Sequence, residues 1–178
     1  MGEVRQLVDH LKLEYKGLFE AKNFFKLVDS WLSERQMEKK NTKDVEIMTP
    51  EGKFIEWEIS PWTKCTDYMR LYMKIRVLMY EVKKVEAIRD KKKIVLDHGH
   101  VIIILDGYLE HDYEHRWDGT PMLHFIRTMM DKFVYRTYTQ KYEQRWTHDC
   151  HQIYDLMQRF FNTYREYRLV SEISHFSY

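Results

Sequence analysis

The sequence predicts an α+β domain in which a curved antiparallel sheet of about six strands packs against an N-terminal helix and long C-terminal helices. The strongest indication is the stretch 68–82, YMRLYMKIRVLMYEV, in which apolar side chains alternate with side chains that, apart from Leu78, are charged or aromatic. This period of two is typical of a long strand that is buried on one face, because a helix would need apolar residues three and four apart. The predicted buried face consists of Met69, Leu71, Met73, Ile75, Val77 and Met79.

Blocks with a helical period on either side of the strands are the second indication. Residues 7–15 alternate as a strand that ends near Gly17, and residues 18–37 then form an amphipathic helix. The apolar face of this helix is predicted to be Phe24, Leu27, Val28, Trp31 and Leu32. We expect a polar loop over residues 38–43, followed by a hairpin with its turn at residues 49–52, TPEG.

The remaining strands are read from breaks in the alternation. Pro61 is predicted to end the strand around residues 55–59, and the long strand over 68–80 is followed by a strand at 82–88. A basic turn is predicted at 89–92, then a strand at 94–97, a tight turn at 97–100 and a strand at 101–109.

Helices are predicted for most of the chain after Pro121. Met122, Ile126, Met129 and Phe133 form one apolar stripe, and a second stripe begins at residue 146. The second stripe consists of Trp146, Cys150, Ile153, Met157, Phe160, Tyr164 and Tyr167. Because the two stripes are out of register, a kink or break is expected near residues 136–144, which would give two helices instead of one.

Composition indicates a single globular domain over residues 1–168 with a C-terminal tail over residues 169–178. The chain has 178 residues, two cysteines and a net charge of +1, which gives little bulk attraction to nucleic acid or anionic membranes. Two cysteines do not form a disulfide framework, and no apolar run reaches the length of a membrane span or a signal peptide. We therefore expect a cytoplasmic protein with reduced thiols.

The order of strand, helix, several antiparallel strands and a long final helix resembles the helix-grip layout of the START and polyketide-cyclase-like superfamily. The resemblance covers about residues 7–168 and is one of element order, with no sequence motif of the superfamily. It implies a cavity between the sheet and the final helix for an apolar or amphipathic ligand. The superfamily shares no universal catalytic residue, so the resemblance leaves the chemistry open.

Histidines and carboxylates give no complete catalytic or metal motif. His111 and His115 match the spacing of an inverted zinc-peptidase motif, but in extended chain their rings would lie too far apart to share a metal. His148 and His151 share a helix face, whereas Cys150 belongs to the apolar stripe. Asp106 is the acid to examine first because it ends an apolar run, while Glu56 and Glu58 are expected to share a solvent-facing strand face. We predict no metal, no cofactor and no assigned catalytic residue.

Two classes of function remain open after these observations. The first is a noncatalytic module that binds an apolar small molecule or a protein partner, with the ligand-binding residues Met69, Leu71, Met73, Ile75, Met129 and Phe133. The alternative is an RNA-binding protein that uses a basic hairpin, Lys83, Lys84, Arg89, Lys91, Lys92 and Lys93, together with Tyr138, Tyr142 and Arg145. A pocket of a few hundred cubic ångströms favours the first, and a continuous basic face with exposed tyrosines favours the second.

Overall fold

The computed structural model describes residues 4–66, 69–89, 92–111 and 135–169. Within these ranges the strands are β1 (Val4–Phe19), β2 (Glu38–Thr49), β3 (Gly52–Lys64), β4 (Met69–Arg89), β5 (Lys92–His111) and β6 (Arg168–Leu169). The helices are α1 (Ala21–Glu34) and α2 (Tyr135–Thr163), and a short 3₁₀ turn, Tyr164–Glu166, follows α2.

Five long strands form an antiparallel sheet in the order β1-β5-β4-β3-β2, which confirms the α+β class and the antiparallel sheet. The two-residue strand β6 pairs with β4 at Ala87 and Ile88, beyond the point where the pairing of β3 with β4 ends at Val82. The sheet therefore has fewer and longer strands than the sequence pattern indicated. Both helices pack on it, with α2 against β1 and β5 and α1 against α2.

The predicted turn at residues 97–100 is wrong, because these residues lie inside β5. Gly99 faces a bulge in β4, where Glu81 has a left-handed φ of 54° and the pairing register shifts. A Cβ atom on Gly99 would lie 2.8 Å from the carbonyl oxygen of Tyr80. The glycine therefore allows two strands to approach each other at a bulge, and the same bulge joins the two predicted strands at 68–80 and 82–88 into one.

The predicted loop at residues 38–43 is also wrong, since these residues begin β2. This edge strand is exposed on both faces except at the half-buried Val45, so the sequence shows no apolar alternation. Pro61 likewise does not end β3, which continues to Lys64. Pro61 lies in a gap between the bridge pairs Ile59–Ile75 and Trp62–Tyr72, where its missing N–H interrupts little of the ladder.

One main hydrophobic core lies between the sheet and the helices. The predicted face of β4 is confirmed, since Met69 and Leu71 are 3% exposed and the next four alternating apolar residues are fully buried. The buried side chains contributed by the two helices are Phe24, Val28, Trp31, Leu32, Trp146, Cys150, Ile153, Met157 and Phe161. Phe161 replaces the predicted Phe160 as the fully buried ring, and Phe160 packs half-buried beside it.

Helix α1 is shorter than the predicted 18–37 at both ends. At the start of the helix the N-cap residue Glu20 provides no side-chain hydrogen bond. The backbone N–H of Ala21 instead donates to the buried carboxylate of Asp97 on β5 at 3.0 Å. At its end Gln36 adopts a left-handed φ of 54°, and Met37 N–H donates to the carbonyl of Leu32 at 3.1 Å. This is a Schellman-type stop with glutamine at the position where glycine is usual.

Helix α2 runs without interruption from Tyr135 to Thr163, so the prediction that the chain divides into two helices near residues 136–144 is wrong. The stripe predicted over residues 122–133 lies outside the described residues, as does most of the tail predicted over residues 169–178. Among the described helices, none has the length and apolar content that crossing a membrane requires.

Candidate functional site

A groove of about 450 Å³ lies where the end of α1, the β3–β4 connection and α2 meet. We call it the α1–α2 groove. Its lining residues are Glu34, Arg35, Gln36, Met37, Thr63, Lys64, Cys65, Leu71, Tyr142, Arg145, Trp146 and Asp149. A volume of this size is within the range of small-molecule sites.

One wall of the groove is held by Arg35, which connects the end of α1 to α2. Its Nε donates to the carboxylate of Asp149 at 3.3 Å, and its Nη2 donates to the side-chain oxygen of Gln152. The guanidinium carbon also lies 4.1 Å from the centroid of the Trp31 ring. These three contacts orient Arg35 and pair its charge, so it shapes the wall instead of offering an unpaired cation.

The charge of Arg145 is not compensated in the same way. Arg145 is exposed on α2, and across the described parts of the chain its side chain forms no ion pair or hydrogen bond. Its guanidinium is close enough to Cys65 to oppose the effect of burial, which raises the pKa of the Cys65 thiol to about 11. Cys65 is therefore a neutral thiol near pH 7, and Arg145 is available to a ligand anion.

The apolar part of the groove comes from both layers of the fold. Leu71 of β4 and Trp146 of α2 are almost fully buried, with exposed fractions of 3% and 1%, and Met37 packs half-buried against the same core. Tyr142 lies one helical turn before Trp146 and is half-buried. The groove thus combines an apolar floor with a cation at its rim.

The predicted ligand-binding residues divide between this groove and the core. Leu71 lines the groove, whereas Met73 and Ile75 are fully buried in the main core and Met69 is 3% exposed. Met129 and Phe133 lie outside the described residues.

The predicted nucleic-acid-binding residues lie on an arm formed by β4 and β5 beyond Val82, with β6 paired along β4 at Ala87 and Ile88. Lys83, Lys84 and Lys93 are exposed on it, and Lys84 pairs with Asp97 at 2.8 Å. The backbones of Arg89 and Lys92 pair opposite each other, and Lys91 lies outside the described residues. These residues therefore lie near one end of the sheet. Their positions along the strands are far from the strand residues that line the α1–α2 groove.

The two histidine motifs do not converge on a ligand set within the described chain. His111 is the last residue of β5 and is extended, while His115 lies outside the described residues. On α2 the side chain of Cys150 is fully buried, His151 is exposed, and His148 contacts the amide nitrogen of Gln152 at 2.8 Å. The burial of Cys150 raises its pKa to about 12, which keeps it a neutral thiol.

Asp106 supports a bulge in β1. Its Oδ1 accepts the backbone N–H of His10 at 2.9 Å and the side-chain amide of Gln6 at 3.3 Å, and His10 has a left-handed φ of 47°. Asp9, His10 and Asp106 bring three ligand-type atoms within 4.8 Å of one another. Because the buried oxygen already accepts these protein donors, we assign the group a structural role.

Opposite charges compensate one another on the sheet face that carries Glu56 and Glu58. Glu58 is 8% exposed and pairs with Lys74 at 3.2 Å, and Glu56 pairs with Lys43 at 2.7 Å. Arg70 and Glu110 form a further pair, in which Nε and Nη2 of Arg70 each lie 2.7 Å from Oε2 of Glu110. The carboxylates that were expected to face solvent are therefore partners of strand cations.

The sequence identified some groove residues but not their arrangement. The sequence patterns indicate Leu71 for apolar-ligand binding and Tyr142 and Arg145 for RNA binding, and they indicate neither Arg35 nor Cys65. A lone arginine near the end of a predicted helix carries no signal of its own, because its role depends on Asp149 and Gln152 more than a hundred residues away.

Comparisons with protein-family models, curated proteins and solved structures give no match for this chain.

Proposed function

We propose that the protein is a noncatalytic ligand-binding module of the helix-grip type. Its ligand is an amphipathic small molecule with one anionic group, bound in the α1–α2 groove. The observation that carries the proposal is the combination of a space of about 450 Å³, an apolar floor and, at the rim, the cation Arg145, which pairs with no acid among the described residues. A helix-grip protein is expected to hold its ligand between sheet and final helix, and this groove lies at that boundary.

Charge selects the head group of the ligand. Three cations, Arg35, Lys64 and Arg145, line the groove against two acids, Glu34 and Asp149. Arg35 pairs with Asp149, and Arg145 has no carboxylate partner within the described chain. A carboxylate that reaches Arg145 would form charge-assisted hydrogen bonds, whereas an amine would meet repulsion. The ligand is therefore an anion.

Apolar surface sets the affinity. A chain or ring that covers the half-buried Met37 and Tyr142 removes apolar surface from water, with a gain of about 25 cal/mol for each Å². Leu71 and Trp146 form the floor beneath them and are already almost fully buried. Among the described lining residues, Cys65 is not an activated nucleophile, because its thiol is neutral near pH 7 with a pKa of about 11. The arrangement supports binding without turnover.

The test uses decanoate as the probe and thermal unfolding as the readout. At a hundredfold excess over its dissociation constant, decanoate is expected to stabilise the fold by about 2.7 kcal/mol, or roughly 5 to 10 °C in Tm for a chain of this size. Decan-1-ol, which has the chain without the charge, is expected to bind at least tenfold more weakly.

Two variants assign the effect to the groove. Arg145→Gln is expected to lower decanoate affinity by about tenfold and leave the decanol response unchanged. Arg159→Gln is the matched control, since Arg159 is also exposed on α2 but lies about 21 Å further along the helix. Equal responses to decanoate and decanol, or equal losses in the two variants, would refute the proposal.

A further inference from the structure

A second groove, of about 400 Å³, lies at the opposite end of β1 from the chain start, between β1, β5 and the segment that follows α2. We call it the β1–β5 groove. Its lining residues are Glu14, Tyr15, Lys16, Gly17, Leu18, His98, Tyr164, Arg165 and Tyr167. Among the described residues, none lines both this groove and the α1–α2 groove.

The charges that line this groove leave an excess of cations. Lys16 and Arg165 are both exposed, and neither forms an ion pair with any residue that the structure describes. The lining acid, Glu14, is already held by Lys12 at 2.9 Å and by His100 at 2.8 Å. These contacts lower the pKa of Glu14, Lys12 having the larger effect, so the carboxylate stays charged and engaged. The two remaining cations are available to an anion.

A flat aromatic surface borders the same groove. The rings of Tyr164 and Tyr167 stack with centroids 5.5 Å apart and an angle of 29° between their planes. Tyr164 also packs against Phe160 at 5.1 Å, which ties the pair to the core. Both tyrosines are half-buried, so part of the stacked pair remains accessible. Such a surface accepts the face of a nucleobase.

The positive surface continues from the groove along the arm of β4 and β5. Lys83 lies directly opposite His98 in the ladder, so both side chains project from the same face. Strand alternation places Glu86 on the other face of the arm, opposite Val95. Within the described chain, the cations on this face therefore extend from Lys16 and Arg165 toward Lys83, over more length than a single phosphate needs.

We infer that the β1–β5 groove binds single-stranded nucleic acid, with a phosphate between Lys16 and Arg165 and a base stacked on Tyr167. A phosphate and a flat base are the chemistry of any nucleotide, and the extension toward Lys83 favours a strand over a free nucleotide. This site is independent of the anion-binding groove proposed above. It also differs from the predicted basic hairpin, most of whose lysines lie elsewhere on the arm.

The experiment measures fluorescence anisotropy of a labelled ten-nucleotide oligouridylate at 50 and 200 mM salt. The wild-type protein is expected to bind with a dissociation constant that rises with salt. The double variant Lys16→Gln, Arg165→Gln is expected to raise the dissociation constant at least tenfold. Because it removes two phosphate contacts, it is also expected to reduce the slope of log affinity against log salt by about 1.4.

The matched control removes two cations outside both grooves. Lys26 and Arg159 are exposed on α1 and α2, and the double variant Lys26→Gln, Arg159→Gln has the same net charge as the groove variant. It is expected to change the dissociation constant less than twofold. Tyr167→Ala is expected to weaken binding about tenfold with the salt slope unchanged, and Tyr167→Phe to retain binding.

Several outcomes would overturn the inference. These are no binding of the oligonucleotide at 50 mM salt, equal losses in the groove and control variants, or a Tyr167→Ala protein that is folded and binds normally. Uridine monophosphate that competes as well per nucleotide as the oligonucleotide would overturn the assignment to a strand. Decanoate is expected not to compete, so failure at this groove and failure at the α1–α2 groove are distinguishable.

Discussion

The close approach of α2 to the sheet depends on Gly107, and this gives a prediction that can be worked from distances. A Cβ atom on Gly107 would lie 2.9 Å from Sγ of Cys150 and 3.2 Å from Cβ of Val8. The first distance is below van der Waals contact, and Cys150 is fully buried, so Gly107→Ala forces the helix and the strand apart. We expect a loss of about 1 to 3 kcal/mol in the free energy of unfolding.

The second half of the prediction is that Cys150→Ala relieves this clash. Alone, it leaves a small void and costs about 1 kcal/mol. In the double variant the new methyl group takes up part of that void, so the total cost is expected to be about 1 to 2 kcal/mol less than the sum of the single costs. Gly99→Ala is the control, because its Cβ atom would clash with the backbone oxygen of Tyr80 at 2.8 Å, which Cys150→Ala does not relieve.

The assay is urea unfolding at pH 7 in the presence of reductant, followed by the fluorescence of the buried tryptophans Trp31, Trp57 and Trp146. The singles and the double variant give a coupling free energy, and the Gly99→Ala pair gives its background value. Strict additivity of Gly107→Ala and Cys150→Ala within about 0.5 kcal/mol, or a stabilised Gly107→Ala protein, would refute the packing of α2 on β5 described above.

Two further predictions concern the end of α1 and the response to pH. Gln36→Gly is expected to raise stability by about 1 kcal/mol, or roughly 2 to 4 °C in Tm, because glycine accepts the left-handed φ of 54° without strain; an unchanged or lower Tm would contradict this. The stability of the protein is expected to fall as the pH rises from about 9 to 12. The pKa values of Cys65 and Cys150 are about 11 and 12 in the fold, against an ordinary value of 9.0. As the pH rises, the unfolded chain therefore loses these protons before the folded protein does, which favours unfolding. A Cys65→Ser variant whose stability declines equally at alkaline pH would contradict the contribution of Cys65.

Strand alternation is the part of the fold that the sequence predicted well. The face from Met69 to Met79 and the stripe from Trp146 to Met157 are buried as expected, because each depends on a period within one element. The same reasoning failed at residues 38–43, where an edge strand with two exposed faces has no period. It failed at residues 97–100 because a glycine that permits a bulge looks the same in sequence as a glycine that permits a turn.

The candidate sites were harder to predict because each is made by elements distant in sequence. Lys16 and Arg165 meet at the β1–β5 groove from the two ends of the chain, and Arg35 meets Asp149 only after α1 and α2 are in place. A single sequence shows residue types and local periods, and these decide which residues are buried. Which charges remain unpaired depends on the tertiary arrangement.

The central claim, an anionic ligand in the α1–α2 groove, is tested most directly by the reactivity of Cys65. Cys65 lines the groove, whereas the chain's second cysteine, Cys150, is fully buried. Cys150 is therefore an internal control for the labelling. With a pKa of about 11, Cys65 is about one part in a thousand thiolate at pH 8, and alkylation by iodoacetamide is slow but measurable by peptide mass spectrometry. Decanoate at ten times its dissociation constant is expected to slow the labelling of Cys65 about tenfold, with decan-1-ol at the same concentration having little effect. Labelling of Cys65 at an unchanged rate, under conditions where decanoate raises the Tm, would place the ligand elsewhere and contradict the account.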